Sequence, residues 1–257
     1  MYPLSSRFPS SMASLKKECA LDFNMALREP AFIIPTLLFP LMFYFFFGLL
    51  FGQQGMNGQM PTFLMVTYGV FGIMSPALFG FGASVANDRD KGWLAVKQVS
   101  PMPPVQFMFA KLYSAMVFAC AIIIGLFCLG ALFGEVLLTR TQWISLAITL
   151  LAGTLPFCAL GLAVAFLVKG NAAVAVLNLI YLPSAFLSGL WIPINYFPQW
   201  LQYIANIFPP FHLSQLALKI IDMDIGQPIV IHLLALLLST GAFIAVAIWG
   251  YKKSQSQ

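Results

Sequence analysis

The residues that could do chemistry are few, and their spacing excludes most of it. There are two histidines, His212 and His232, and four cysteines, Cys19, Cys120, Cys128 and Cys158. No two cysteines form a C-x-x-C pair, and three sit inside apolar blocks, where a free thiol behaves as a small hydrophobe. Each histidine lies alone near the end of an apolar segment, which reads as an interfacial residue rather than a proton relay. No H-E-x-x-H, no G-x-S-x-G and no pair of acids within an apolar run is present, so intramembrane hydrolysis has neither a nucleophile nor a ligand set. A phosphate-cradling loop needs Gly-Lys before Ser or Thr, and the chain contains no Gly-Lys. The sequence therefore reads as a non-enzyme with no cofactor or metal of its own.

What must position any functional residue here is a membrane. Of 257 residues, 60% are hydrophobic and 8% charged, against ~25% charged in a soluble domain. The apolar residues form long blocks with the charges confined to the gaps. Spans of the roughly 20 residues needed to cross the bilayer core are expected at about 31–52, 62–86, 112–134, 143–168, 172–190 and 229–249. Pro40 should bend the first. The second, with Gly69, Gly72, Pro76, Gly80 and Gly82, should be kinked and closely packed. None of these six stretches contains Asp, Glu, Lys or Arg. Two G-x-x-x-G matches, Gly48 to Gly52 and Gly130 to Gly134, are candidate helix contacts. The aromatic runs Phe43 to Phe47 and Phe79 to Phe81 either line a pathway or, for most of them, face lipid.

Two further segments flank these spans. Met12, Leu15, Cys19, Phe23 and Leu27 make one helical stripe with Lys16, Lys17, Asp22 and Arg28 off it, the pattern of an interfacial amphipathic helix. Residues 191–227 are apolar but broken by Pro193, Pro198, Pro209 and Pro210. No piece reaches span length, so re-entrant half-helices are expected, with Trp191, Tyr196, Trp200 and Tyr203 in an aromatic belt. The expected fold is thus an all-α membrane protein: a cytoplasmic N-terminal segment (1–30) with its interfacial helix, a six-span domain (31–250) and a short tail (251–257). Lys and Arg decide orientation. The N-terminal segment holds four, the 87–111 loop four, the Lys169 turn one and the tail two, whereas the opposite side holds only Arg140 and Lys219. The positive-inside rule puts both termini in the cytoplasm. The net charge of +5 then needs no nucleic-acid partner.

Two segments carry a resemblance. The loop 87–111 has Asp88, Arg89 and Asp90, then Gly92, Leu94, Ser100-Pro101 and Lys111. Residues 183–219 have Pro183, Phe186, Leu187, Ser188, Gly189, Pro193, Pro198, Trp200, Leu201, Gln202 and Pro209. In this order the chain resembles the membrane subunit of an ABC transporter, in the type-2 exporter permease family, with two departures: Ala95 where a glutamate is common and Lys219 where an arginine is usual. The resemblance implies a plasma (inner) membrane permease, a homodimer or a pseudo-symmetric heterodimer, served by two copies of a cytoplasmic ATP-binding cassette ATPase that binds the ATP. It implies outward movement of an amphiphilic or hydrophobic substrate, which a charge-free pathway suits. Within the loop, Ser100 can cap a short helix and Pro101 suits its first turn. Val105, Phe107 and Phe109 are then expected to dock into the ATPase, seated by Asp88, Arg89, Asp90 and Gly92. The competing reading is a non-transporting membrane scaffold or assembly factor.

Overall fold

The computed structural model describes residues 11–52, 55–92 and 104–255. Helix α1 (Ser11–Leu27) precedes α2 (Pro30–Phe43), which a π-helical stretch continues to Leu50. Next come α3 (Met60–Ser75), a second π stretch (Pro76–Ala83) and α4 (Ser84–Asp90) in one line. They are followed by α5 (Pro104–Phe133), α6 (Arg140–Ala152), α7 (Thr154–Leu167) and α8 (Gly170–Leu187). Two short helices, α9 (Gln199–Ala205) and α10 (Pro209–Lys219), lead to α11 (Ile229–Gln255). No strand occurs among the described residues. Six helical stretches are long and apolar enough to cross a membrane: Pro30–Leu50, Met60–Asp90, Gln106–Phe133, Arg140–Leu167, Gly170–Leu187 and Ile229–Lys253. The protein is a multi-pass, all-α membrane protein.

Local sequence explains the irregularities. Pro40 and Pro76 each lack the N–H that an α-helical turn requires. The first π stretch begins four residues after Pro40, and the second begins at Pro76 itself. A widened turn accommodates the lost bond without ending the helix. The α6–α7 line is started by a capping box, in which the Thr139 hydroxyl accepts from Gln142 N–H and the Gln142 side chain accepts from Thr139 N–H.

The second span is the centre of the bundle. In its most apolar stretch 89% of residues are buried, against 11% for the last span. Small residues make this possible where apolar lipid offers helices no hydrophobic reward for associating. At Gly82 an added Cβ would lie 2.5 Å from Gly161 Cα on α7, so the two backbones touch. A Cβ at Gly130 would lie 2.5 Å from the Met65 sulfur, and one at Gly134 2.8 Å from the Tyr44 hydroxyl. The second G-x-x-x-G match is therefore a real contact between spans. At the first match, the atoms nearest to a Cβ at Gly48 or Gly52 lie in their own helix, on Tyr44 and nearby backbone.

Three expectations need correction. The third span does not begin near Leu112: α5 starts at Pro104 and is continuous with it, because no helix breaker follows Pro104. Lys111 consequently lies two turns inside a helix, and α4 carries Asp88, Arg89 and Asp90 on the end of the second span. The helices that carry the second and third spans thus run on past their apolar stretches to hold ionisable groups at one end. On α1 the buried face centres on Asp22 and Phe23, whereas Met12 and Leu27 are exposed. The reason is that α1 lies along α5, where Phe23 meets Phe118 at 5.5 Å between ring centroids. Trp191, finally, is not in an outer belt. It stacks on Phe43 at 6.0 Å and meets Phe71 edge-on at 5.6 Å, while Tyr196, Trp200 and Tyr203 are exposed.

Candidate coupling site

Asp88, Arg89, Asp90 and Lys111 come together at one end of the bundle as two adjoining clusters. In the first, the Lys111 ammonium, 3% exposed, donates to Asp22 of α1 at 3.1 Å and pairs with Asp88 of α4 at 2.9 Å. It also donates to the Ser84 hydroxyl. The ammonium has three N–H donors, and these three oxygens match them. One side chain of α5 thereby ties α1 to the end of the second span. Leaving a member of such a buried ion pair alone costs ~3–5 kcal/mol.

The second cluster works on helix ends. A helix leaves its last carbonyls and first N–H groups without partners, and its dipole favours a cation at the former and an anion at the latter. Arg89 donates to the carbonyl of Ala165 at 2.7 Å and that of Val168 at 2.9 Å, at the C-terminus of α7. Asp90 accepts from the Gly170 N–H, the first residue of α8, at 2.6 Å. Arg89 and Asp90 also pair with each other at 3.1 Å. One dipeptide thus caps both helices of the α7–α8 turn with charges of the right sign. Gly92 then turns the chain away from α4 at φ +74°, with its N–H donating to the Arg89 carbonyl, the left-handed exit that glycine permits.

The expected aromatic docking face is divided by the fold. Phe107 is buried, 4% exposed, with the Lys111 ammonium 5.0 Å from its ring centroid. It faces into the bundle and is corrected from a docking residue to part of the Lys111 site, because α5 is continuous and its helical turn carries Phe107 to the Lys111 face. Phe109, two residues on, is 53% exposed. Val105 lies in the first turn of α5; Ser100 and Pro101 fall outside the described residues.

The second motif builds the opposite end. Gly189, at φ +73°, closes α8, and Ile194 stands where a Cβ would need room, 3.2 Å away. Pro193 and Pro198 precede the next short helices, and Pro209 occupies the first turn of α10, where its missing N–H costs nothing. Trp200 projects outward from α9, 63% exposed. Ser188 is buried, and its hydroxyl has no hydrogen-bond partner. It lines a cavity of about 30 Å³ with Asn195, Ser214 and Gln215, room for about two waters. We call residues 189–228 the cap.

Two groups where the cap meets the last span were not legible as a site. His212 and His232, read singly as interfacial, are both buried and face each other with Nδ1 to Nδ1 at 2.9 Å. Their separation by 20 residues carries no helical periodicity, so only the fold reveals the pair. Lys219 pairs with Asp224 at 2.9 Å. Among the described residues no cluster of three or more His, Cys, Asp or Glu is placed to hold a metal ion.

Known proteins give these features a context. The family model described as "ABC-2 family transporter protein" matches residues 53–249. The chain is also similar to YvfS of Bacillus subtilis (strain 168), whose name is that of a transport permease, with 25% identity over 216 residues, covering 82% of this chain and 86% of that one. With the family match running from before the second span to the end of the last, the chain belongs to the ABC-2 family of transporter proteins.

Proposed function

We propose that this protein is the membrane-spanning permease subunit of an ATP-driven exporter, moving an amphiphilic or hydrophobic substrate outward. Membership of the family supports a membrane transport permease that partners an ATPase. The chain has no phosphate-binding motif of its own, so the hydrolysis is assigned to that partner. We take the working unit to be two permease copies with two ATP-binding cassette subunits, the ATP bound by the latter. The excess of Lys and Arg at the coupling end supports a topology with that end and both termini in the cytoplasm, beneath the plasma (inner) membrane, and the cap outside.

The observation that carries the coupling reading is the Lys111 site joined to the Arg89–Asp90 clamp. Through them α1, α4, α5, α7 and α8 are tied at one end. A push on the end of α4 or the start of α5 is therefore shared by the second, third, fourth and fifth spans. The exposed ring of Phe109 offers an apolar contact for the ATPase, in a position where burying one aromatic removes ~150–250 Å² from water.

The test is ATP hydrolysis by the reconstituted complex. Phe109→Ala is expected to lower permease-stimulated ATPase activity about tenfold or more, as loss of an interface anchor worth at least ~1.4 kcal/mol would. Phe45→Ala, on an exposed face of the first span, should leave the stimulation ratio unchanged. Equal stimulation by Phe109→Ala and wild type would overturn the docking assignment.

A further inference from the structure

His212 of the cap and His232 of the last span form a chain of hydrogen bonds whose proton positions are fixed by its ends. The Nε2 of His212 lies 2.8 Å from the Asn206 carbonyl oxygen. A carbonyl only accepts, so His212 carries its proton on Nε2 and presents a lone pair at Nδ1. His232 must then donate from its own Nδ1 across the 2.9 Å contact. That leaves His232 Nε2 as a bare lone pair, buried and without a partner. The contact joins the first turn of α10 to the first turn of α11, that is, the cap to the last span. Phe211 closes over it, 5.4 Å from the His212 ring and 6.1 Å from the His232 ring.

A second proton has no comfortable place in this arrangement. On His232 Nε2 it creates an N–H without an acceptor. On His212 Nδ1 it sets one N–H against another. Either way a cation is buried where an ion is costly. The charged groups that bear on it are Lys219 and Asp224: the ammonium opposes protonation and the carboxylate favours it, and these two are paired with each other. Of the other helices against α10, α3 and α8 carry no Asp, Glu, Lys or Arg, only Tyr68 and Tyr181, and α6 carries only Arg140, exposed at its first residue. Burial holds the His212 imidazole below its ordinary value, against the pull of the Asn206 carbonyl.

We propose that the His212–His232 contact is a proton-sensitive latch, which holds the cap to the last span while both imidazoles are neutral and releases it when the pair takes up a proton. That the releasing proton arrives from the outer aqueous phase rests on the topology proposed above. The sign follows from linkage. A histidine kept neutral by the fold adds its full increment above the ordinary imidazole pKa of about 6.5, and the increment falls as pH drops below that value.

Hydrogen–deuterium exchange of the purified full chain in detergent micelles tests this, at about pH 7.5 and about pH 5.5, with rates normalised to the intrinsic chemical rate. Peptides covering 205–219 should exchange about tenfold faster at the lower pH, the linkage limit for one imidazole carried about one unit below its free pKa. Peptides of α3 should not change. His212→Gln and His232→Gln should each remove the pH dependence of the cap, whether it is left tight or loose. If either variant does not fold, Asp224→Asn serves: taking away the carboxylate makes the protonated pair still less favourable in the latched state, so the rise at about pH 5.5 should be at least as large as in the wild type, and its loss would overturn the latch. A wild-type cap whose exchange, relative to α3, is the same at both pH values overturns the latch, and so does an undiminished tenfold rise in the folded glutamine variants. The measurement needs neither ATPase nor cargo, so its failure leaves the permease reading standing, and loss of that reading would show separately in the Phe109→Ala assay.

Discussion

The two ends of the bundle are held by different chemistry. At the coupling end, Lys111, Asp22, Asp88, Arg89 and Asp90 join five helices through full charges, and each charge meets a charge or a helix terminus of opposite sign. At the cap end, the contacts are largely neutral: imidazole to imidazole, Gln142 to the Ile220 carbonyl, Gln215 to the Ile225 N–H, and Trp191 among aromatic rings. Lys219 and Asp224 are the charged exception, and they pair within the cap, five residues apart. Charged joints desolvated on one side resist separation strongly. Neutral joints worth ~0.5–1.5 kcal/mol each can part and re-form. The difference suits an assembly driven rigidly from one end that opens at the other.

The largest expected effect tests the strong end. Lys111→Met leaves Asp22 and Asp88 facing each other without their cation, and should cost ~3–5 kcal/mol, read as a fall in the thermal unfolding midpoint of the purified protein. Lys219→Met, at the cap, should cost less, ~1 kcal/mol, because Lys219 is 30% exposed and its carboxylate keeps the Gly226 N–H. If the two substitutions destabilise equally, the contrast between the ends is wrong.

Next in size is Arg89→Lys. The guanidinium reaches two carbonyls and a carboxylate with a planar fork that an ammonium cannot reproduce. The expected cost is about 1.5–3 kcal/mol, the loss of hydrogen bonds made by a charged donor. Asp90→Asn keeps an acceptor for the Gly170 N–H and should lose less. A chemical-denaturation series on the three proteins orders them, and a milder Arg89→Lys than Asp90→Asn would break the helix-capping account.

How much of this was legible depended on whether the signal was local. Six spans could be read because each carries its own run of apolar residues, and Gly82 marked the second as closely packed. The Asp88-Arg89-Asp90 run could be picked out, but its partners could not: carbonyls of Ala165 and Val168 are backbone atoms and leave no trace in residue types. Phe107 was misplaced for a similar reason. The prolines before it suggested a separate short helix, whereas α5 runs on unbroken from Pro104, and the 3.6-residue turn then puts Phe107 on the Lys111 face and Phe109 off it. His212 and His232 meet only through the folding of the cap onto α11.

Orientation is tested by labelling rather than by stability. Ile207 of the cap and Lys252 of the tail are both exposed. In a background without native cysteines, Ile207→Cys should react with a membrane-impermeant maleimide in intact cells and Lys252→Cys only after lysis. The reverse pattern would exchange the two ends and place the latch in the cytoplasm.

The smallest expected effect belongs to Asp224, and it separates two acid transitions of the same cap. Burial raises the Asp224 carboxyl, but the Lys219 ammonium and the Gly226 N–H outweigh it, so its pKa stands below the ordinary carboxylate value. A carboxylate with a depressed folded pKa contributes stability above its unfolded pKa of about 3.9, and that increment is lost as pH falls from there through the folded value. The histidine pair loses its increment below about 6.5. Cap exchange in the wild type should therefore rise first near pH 6 (about the imidazole range) and again only below about pH 4. Asp224→Asn retains an acceptor for Gly226 and loses only the attraction to Lys219, so it should cost no more than about 1 kcal/mol at neutral pH. It should abolish the lower transition while keeping the upper one, with its onset still near the free imidazole value. A single transition in the wild type, removed whole by Asp224→Asn, would assign the pH response to the ion pair and take it away from the histidines.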